Sequence, residues 1–413
     1  MNRRKFNQTL LAGGSSILLS PTISIGNDKK DNQEKSVIFI FLSGGISATE
    51  FINPVPNAPV EFRSVRGFAQ MKNGEYLGGD FEKLASIGNE LTIVRNMHHR
   101  DANHSSSTHW MMTSEPGFQS TDQKWPSHGS LLSHEFGPLD IKRGIPNYVR
   151  TRPIQYDEAA FLGASHIGMT ADENGVGNLF PRVPEDRFDR RMDMMRTISQ
   201  QSKLGGPVAE GWYDLKNQAA DIIKGKAGAA FDLSKETPEN IAKYNAKDSR
   251  FGKDLLLARR LIQSGVKFVT VNNGGWDNHN NIENAFSTKG GDLDSSVYTL
   301  IEDLRINELL DNTLIVITSE FSRTPKINAN AGRDHYPSLN SLIFAGGGYN
   351  HGKVIGKTDN KASQVEGNSY DPKDLSWTIM DHFGVKKDLV IVDNSARPRH
   401  MFRAEAKNIL IDS

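Results

Sequence analysis

The chain has 413 residues, a length that accommodates one large α/β domain or two smaller ones. It carries 49 Lys and Arg against 49 Asp and Glu, and because nucleic-acid-binding domains need a basic excess, this balance indicates no nucleic-acid partner. There is no cysteine, which excludes disulfides and thiolate metal ligands and leaves histidines and carboxylates as candidate ligands.

The N-terminus has the pattern of an export signal. Two arginines lie within Asn2–Phe6, and a short region of apolar and small residues follows from Thr9 to Ser20. This region is too short for a transmembrane helix and fits a twin-arginine signal, which predicts a signal peptide and leader over residues 1–30 and a periplasmic or extracellular protein. An ordinary disordered basic start is the alternative. No later stretch approaches the roughly 20 apolar residues that a membrane span requires.

The first predicted strand, Ser36 to Leu42, is a continuous apolar run of the kind that is buried on both faces of a sheet. Ser43, Gly44 and Gly45 end it. Glycines at this point allow a ligand to approach the backbone closely, or they simply form a tight turn. Gly44 and Gly45 are therefore candidate substrate-binding residues, with a plain turn as the alternative.

A second strand is predicted from Leu91 to Arg95 and leads into a polar segment rich in histidine. The histidines of this segment are His98, His99, His104 and His109. A helix is predicted to begin near Ser105 to Ser107, with a serine as N-cap. A hydroxyl at a helix N-terminus lies where anions bind well, which suits a nucleophile or a phosphate or sulfate cradle. In the alternative, the serines only cap the helix and the histidines lie on a surface loop.

The interval from about 115 to 250 has weaker patterning. It is predicted to be an insertion at the sheet edge or a lid over the site, with an independent domain as the alternative. Within it, a strand is predicted over 145–150 and exposed helices over 186–200 and 213–224.

The second half of the chain alternates helices with strands. Helices are predicted over 251–264, 293–310 and 375–383, and strands over 267–272, 314–317, 339–344 and 354–356. This alternation predicts an α/β fold in which ligands gather beyond the carboxyl ends of the strands.

Polar motifs follow these strands. These motifs contain three pairs of candidate residues, which are Asp277 and His279, Glu320 and Arg323, and Asp334 and His335. Histidines and carboxylates together bind divalent metals, and such an ion polarises an ester oxygen or lowers the pKa of bound water. As alternatives, Asp277 belongs to a turn held by local side-chain bonds, and Arg323 pairs with Glu320 instead of holding an anion.

These stretches resemble a known family. The segments GGWDNHNN, DNTLIVITSEFSRTPKIN, GRDHYP and AGGG are similar to the exported bacterial domain-of-unknown-function family 1501 (DUF1501), over nearly the whole mature chain. That family looks related to the alkaline phosphatase and sulfatase superfamily. The resemblance implies an alkaline-phosphatase-like domain over residues 31–413, a three-layer α/β/α sandwich with a mainly parallel sheet.

The superfamily's pattern is matched incompletely. Glu320 stands where the superfamily has a metal-binding Asp, and Phe321 stands where it has Asn or His. Ser43–Gly45 occupies the place of the metal-binding Asp that follows the first strand. His104 stands at the place of the nucleophile, with Ser105 beside it. Since there is no cysteine, a formylglycine made from cysteine is excluded.

The first hypothesis is an exported metal-dependent hydrolase of phosphate or sulfate esters, acting on a small molecule or a polysaccharide. Its divalent metal would be zinc, manganese or calcium, with the ligands Asp277, His279, Glu320, Asp334 and His335. The catalytic residues would be His104, Ser105 and Arg323, where Ser105 or a metal-bound water attacks and Arg323 steadies the anion. Substrate would contact Gly44, Gly45 and His109. The alternatives are a non-catalytic binding or scaffold protein on the same fold, and a carbohydrate-processing partner without its own chemistry.

Overall fold

The computed structural model describes residues 35–117, 124–171, 183–201, 216–223 and 228–412, so the predicted signal peptide lies outside the described residues. The helices are α1 (Ala48–Phe51), α2 (Glu82–Ser86), α3 (His104–Thr113), α4 (His128–Phe136), α5 (Glu185–Gln201), α6 (216–223), α7 (Gly228–Phe231), α8 (Pro238–Lys243), α9 (Arg250–Gln263), α10 (Ile282–Ile306) and α11 (Pro372–His382). The strands are β1 (Ser36–Phe41), β2 (Phe68–Gln70), β3 (Tyr76–Gly78), β4 (Leu91–Val94), β5 (Leu139–Asp140), β6 (Ile145–Pro146), β7 (Tyr148–Arg150), β8 (Met169–Thr170), β9 (Phe268–Asn272), β10 (Thr313–Thr318), β11 (Ser322–Arg323), β12 (His335–Tyr336), β13 (Leu342–Gly346), β14 (Lys353–Ile355), β15 (Lys357–Thr358), β16 (Val365–Glu366), β17 (Val390–Val392) and β18 (Pro398–His400).

Eight strands form one central sheet in the order β14-β4-β13-β10-β1-β9-β7-β8. β1 lies between β10 and β9 and is parallel to both. Among the described strands of this sheet, β13 alone runs against the others, and it pairs antiparallel with β10 and β4. The prediction of a mainly parallel sheet is therefore confirmed.

The two faces of the sheet are covered by different helices because the side chains of each strand alternate in direction. On β1, Val37 and Phe39 pack into a core shared with α3, α4 and α11. Ile38 and Ile40 pack into a second core shared with α2, α9 and α10. Each fully buried side chain of this kind contributes about 1.5–3 kcal/mol to folding. The predicted three-layer α/β/α sandwich is confirmed.

The N-termini of α10 and α3 differ from the prediction. α10 begins at Ile282 instead of near residue 293, because Asn281 caps it. Gly290 lies inside α10, where a Cβ would come within 2.8 Å of Asp80, so glycine permits close packing there. The prediction of a serine N-cap for α3 is wrong, because the side chain of Asn103 accepts from the first amides of the helix and His104 becomes its first residue.

The interval from about 115 to 250 contributes to the central sheet. Strand β7 pairs parallel with β9, and β8 pairs parallel with β7 at the end of the sheet. The described part of this interval also contains α4, which packs on that sheet. An insertion or lid in the rest of it stays a prediction. Across the described residues, no helix combines the length and the apolar character needed to cross a membrane.

Candidate metal site at the carboxyl edge of the sheet

Polar side chains from several elements meet beyond the carboxyl ends of the central strands. Glu320 follows β10, and Asp277 and His279 lie in the loop after β9. His104 begins α3, and His335 lies on the short β12, which pairs with β11 at Arg323. Parallel strands end at a common edge, so residues far apart in the chain become neighbours there.

Three imidazole rings converge on one carboxylate. The Nε2 atoms of His104, His279 and His335 lie 3.4, 3.0 and 3.4 Å from Oδ1 of Asp277. The Nε2 atoms of His279 and His335 are 3.1 Å apart. The site is open, since the side chain of Asp277 is 48% exposed and that of His335 is 26% exposed. We call His104, Asp277, His279 and His335 the imidazole cluster.

Each ring of the imidazole cluster is oriented by an oxygen at its other nitrogen. The Nδ1 partners are Glu320 Oε1 for His104 (2.7 Å), Asp334 Oδ1 for His279 (2.8 Å) and the backbone oxygen of Ala102 for His335 (2.7 Å). These acceptors favour the Nδ1–H tautomer of each neutral ring, in which Nε2 carries the lone pair. Nε2 of His279 accepts from Arg323 at 3.2 Å. This carboxylate or carbonyl support is the arrangement that metal-binding histidines have in proteins.

The separation of two nitrogens in the imidazole cluster suits a tetrahedral metal ion. Two nitrogens that each lie about 2.0–2.1 Å from a zinc ion are roughly 3.4 Å apart, and the Nε2 atoms of His279 and His335 are 3.1 Å apart. Nε2 of His104 is buried and has no hydrogen-bond partner, which an ion would supply. His104, Asp277 and His335 each offer a ligand atom within 4.8 Å of the others.

Glu320 and Asp334 support rings of the imidazole cluster. Glu320 was predicted as a metal ligand, but Oε1 accepts from His104 and from the backbone N–H of Gly44, while Oε2 accepts from Ser319 Oγ at 3.0 Å. Asp334 holds the ring of His279. His104 was predicted as catalytic, and its Nε2 faces Oδ1 of Asp277, as do the Nε2 atoms of His279 and His335.

Arg323 holds Asp277 in place. Its guanidinium is completely buried, and its N–H groups donate to Asp277, to His279 and to the backbone oxygens of Gly44, Gly45 and Arg333. These bonds engage both terminal nitrogens and Nε, so the geometry accounts for Arg323 as a positioning residue. Its predicted contact with a substrate anion stays a prediction and requires some of these bonds to break.

The charges at the site influence one another. Burial opposes ionisation of Asp277, but the hydrogen bond and charge of Arg323 outweigh it, so the pKa of Asp277 is lowered. The hydrogen bond to Glu320 raises the pKa of His104 above its ordinary value despite partial burial. The hydrogen bond from His279 lowers the pKa of Asp334. The pKa of His335 is lowered, chiefly by burial, which favours its neutral, ligand-competent form.

Gly44 and Gly45 are required by close packing. Gly44 has φ +113°, and a Cβ there would lie 2.7 Å from the backbone nitrogen of Asp277. At Gly45, with φ +74°, a Cβ would lie 2.6 Å from the ring of Phe321. Both backbone oxygens also accept from Arg323. These contacts explain the glycines structurally, and their predicted contact with substrate stays a prediction.

The hydrogen bonds of Ser105 and His109 described below go to residues outside the imidazole cluster. Ser105 is one residue after His104, about 100° further around the helix, and its hydroxyl donates to Gln155 at 3.3 Å. The ring of His109 is buried between the backbone oxygen of Glu115 and the backbone N–H of Trp125. Burial lowers the pKa of His109 to about 4, so this ring is neutral. The roles predicted for both residues stay predictions.

Sequence reasoning missed two supports of the site. His99 bonds through its ring to the backbone oxygen of Glu320 and so steadies the loop after β10. Arg333, next to Asp334, forms a completely buried ion pair with Glu50 at 2.8 Å. The GRDHYP motif pointed to the neighbourhood of Arg333, but nothing local in the sequence marked Glu50 as its partner.

Metal affinity is expected to rise with pH until the pH exceeds the pKa of His104, because a metal must displace the proton from this ring and its pKa is raised. Displacing one proton changes the apparent affinity by roughly tenfold per pH unit until the pH exceeds that pKa. Zinc titrations of the full chain between pH 5.5 and 8.5 would measure this. Glu320→Gln should move the curve to lower pH, since it removes the charge that raises the pKa. An affinity that stays constant across this range would contradict the assignment of His104 as a ligand.

The fold and the imidazole cluster define a class of protein: an α/β/α sandwich with a histidine-rich site at the carboxyl edge of its sheet. The family model described as "Protein of unknown function (DUF1501)" matches residues 34–410. The chain belongs to this family, and the resemblance stated from the sequence is confirmed. A search of curated proteins returns no match to the chain.

Several solved structures are similar at low scores. Ps i-CgsB in complex with k-i-k-neocarrahexaose has a TM-score of 0.45 at 12% identity, over 92% of this chain and 76% of that one. PsFucS1 sulfatase from Pseudoalteromonas sp. has a TM-score of 0.38 at 14% identity, over 86% and 69%. Alkaline phosphatase from the Antarctic bacterium TAB5 has a TM-score of 0.36 at 12% identity, over 86% and 100%.

Proposed function

We propose that this protein is an exported metal-dependent hydrolase of phosphate or sulfate esters. The observation that carries the proposal is that three Nε2 atoms of the imidazole cluster converge on Oδ1 of Asp277. The twin-arginine pattern within Asn2–Phe6 supports export. A folded chain is what the twin-arginine route carries, which is compatible with a metal bound before export.

The donor set favours zinc or manganese over calcium. Calcium takes six to eight oxygen ligands, whereas this site offers three imidazole nitrogens and one carboxylate. When bound, such an ion would supply Lewis acidity toward an ester oxygen and a lowered pKa for water. The ligands would be His104, Asp277, His279 and His335.

The chain's own residues orient this site. Glu320 and Asp334 keep two imidazoles in the Nδ1–H tautomer, and Arg323 keeps Asp277 ionised by lowering its pKa. Because the hydroxyl of Ser105 is bonded to Gln155, water is the nucleophile that the arrangement favours. The half-exposed Asp277 leaves an approach for an ester that belongs to a larger molecule.

A non-catalytic binding protein is the second candidate, and Phe321 is the observation that favours it. Its ring centroid lies 4.9 Å from that of His104 and 4.7 Å from that of His335. An aromatic ring at this place offers no ligand for a second metal ion. A single remaining metal site is compatible with binding as well as with hydrolysis.

Metal analysis together with an ester screen separates the two candidates. The full chain, loaded with zinc or manganese, should hold about one ion, and Asp277→Ala and His279→Ala should lose it. Hydrolysis of p-nitrophenyl phosphate, p-nitrophenyl sulfate or bis(p-nitrophenyl) phosphate should fall in parallel in these variants and persist in Ser105→Ala. Metal binding without hydrolysis of any ester would favour the binding protein. A wild type that holds no metal after loading would refute the metal mechanism.

A further inference from the structure

A cavity of about 500 Å³ lies apart from the imidazole cluster. It is lined by the loop that follows α1, by β3 and by the chain around β14 and β15. The residues used below include Asn53, Asn57, Glu75, Tyr76, Arg95 and Thr358. Its size is within the range of pockets that take small ligands.

The cavity opens at the same edge of the sheet as the cluster. Arg95 directly follows β4, and Gly356 directly follows β14, which is parallel to β4. β4 is two strands from β10 in the sheet order, a lateral distance of roughly 10 Å. Ligands of open α/β sheets bind beyond the carboxyl ends of the strands, so this is a place where a binding site is expected.

The charged groups in the lining balance in number, since Arg95 and Lys357 are matched by Glu75 and Asp359. Arg95 forms an ion pair with Glu75 at 2.7 Å and also donates to the backbone oxygens of Ile52 and Tyr76, both at 2.9 Å. The guanidinium of Arg95 and the carboxylate of Glu75 neutralise each other, and the carboxylate of Asp359 accepts from the backbone N–H groups of Ser363 and Gln364. With the exposed Lys357 included, the lining has two cationic and two anionic side chains and no surplus charge. This composition disfavours a strongly ionic ligand.

The lining also includes amides, a hydroxyl and an aromatic residue, beside several apolar residues. Asn53 donates to the hydroxyl of Thr358 at 2.9 Å, and Asn57 is exposed at the rim. Amides and hydroxyls both donate and accept, which matches the hydroxyl groups of a sugar. Tyr76 adds an aromatic residue to the lining, and its half-buried ring packs edge-to-face with Phe68 at 5.3 Å. Val55 holds φ +40°, an unusual conformation for a β-branched residue and one that is found at ligand sites.

We propose that this cavity is a binding site for an uncharged saccharide unit. The proposal goes beyond the proposed ester hydrolysis, since it needs neither the metal nor the imidazole cluster. The balanced charges, the amide and hydroxyl groups and the aromatic residue together favour a neutral polyhydroxylated ligand. Such a site would let the protein recognise a carbohydrate, whether the protein is a hydrolase or a binding protein.

Binding of neutral trisaccharides to the metal-free full chain tests the proposal. Maltotriose, cellotriose, laminaritriose, xylotriose, mannotriose and chitotriose would be screened by saturation-transfer NMR, and binders measured by calorimetry. At least one should bind, and Asn57→Trp, which fills the rim, and Tyr76→Ala, which removes the ring, should each weaken it by at least about tenfold. Circular dichroism and urea unfolding would report that each variant is folded.

Two matched variants complete the design. Asn394→Trp makes the same change at an exposed position outside the cavity lining, and His335→Ala removes a ring of the imidazole cluster. Saccharide affinity should be unchanged in both, which separates this proposal from the hydrolase proposal. If none of the trisaccharides binds at millimolar concentration, or if binding survives in Asn57→Trp, the cavity is not a saccharide site.

Discussion

Replacing His335 with alanine is expected to lower the zinc affinity of the full chain by about 10²–10³-fold. The imidazole cluster offers four ligand groups, and a zinc site worth roughly 10–16 kcal/mol loses about a quarter of this with one ligand. His104→Ala should have an effect of the same size, because its Nε2 is equivalent in the geometry. Competition with a chromogenic chelator would measure both affinities.

Variants of the supporting carboxylates should lower zinc affinity by a smaller factor than removal of a ring. Asp334→Asn keeps the size of the side chain and weakens its hold on His279, so zinc affinity should fall by about 10–100-fold. His98→Ala is the matched control, since His98 belongs to the same histidine-rich segment without being part of the cluster. Equal effects of His98→Ala and His335→Ala would show that the measured zinc is bound elsewhere.

Glu50→Ala is expected to destabilise the folded chain by about 3–5 kcal/mol, because it leaves the buried guanidinium of Arg333 without its charge partner. Both side chains of this ion pair have no exposure to solvent. Glu50 also accepts from the hydroxyl of Ser64 at 2.6 Å and from the backbone of Val65 at 3.0 Å. Urea unfolding at neutral pH would give the difference in the free energy of unfolding.

An exposed ion pair provides the control for this measurement. Asp186 and Arg190 pair on α5 with side chains 65% and 70% exposed, so Asp186→Ala should change the free energy of unfolding by less than about 0.5 kcal/mol. The double variant Glu50→Leu/Arg333→Met should recover part of the loss, since it removes both buried charges together. A loss below about 1 kcal/mol in Glu50→Ala would mean that solvent reaches Arg333.

The course of the central strands could be predicted from the sequence because their pattern is local. The apolar runs of β1, β9 and β10 are buried on both faces, and each run is followed at once by polar or glycine residues. Strands of this kind occur in sheets covered by helices, so the α/β/α class follows. The first residue of α3 was harder to predict, because Asn103 and the serines after it are all good N-cap residues.

The sequence by itself determined the fold class, the family and the edge of the sheet where the polar residues gather. The tertiary structure alone decided what each of these residues faces. His104 turns its Nε2 toward Asp277, and Glu320 supports the ring of His104. The guanidinium of Arg323 pairs with Asp277. His104 and Glu320 are 216 positions apart. Hydrophobic periodicity is set by neighbours along the chain, whereas the direction of a ring nitrogen is set by whichever partner the strand order brings beside it.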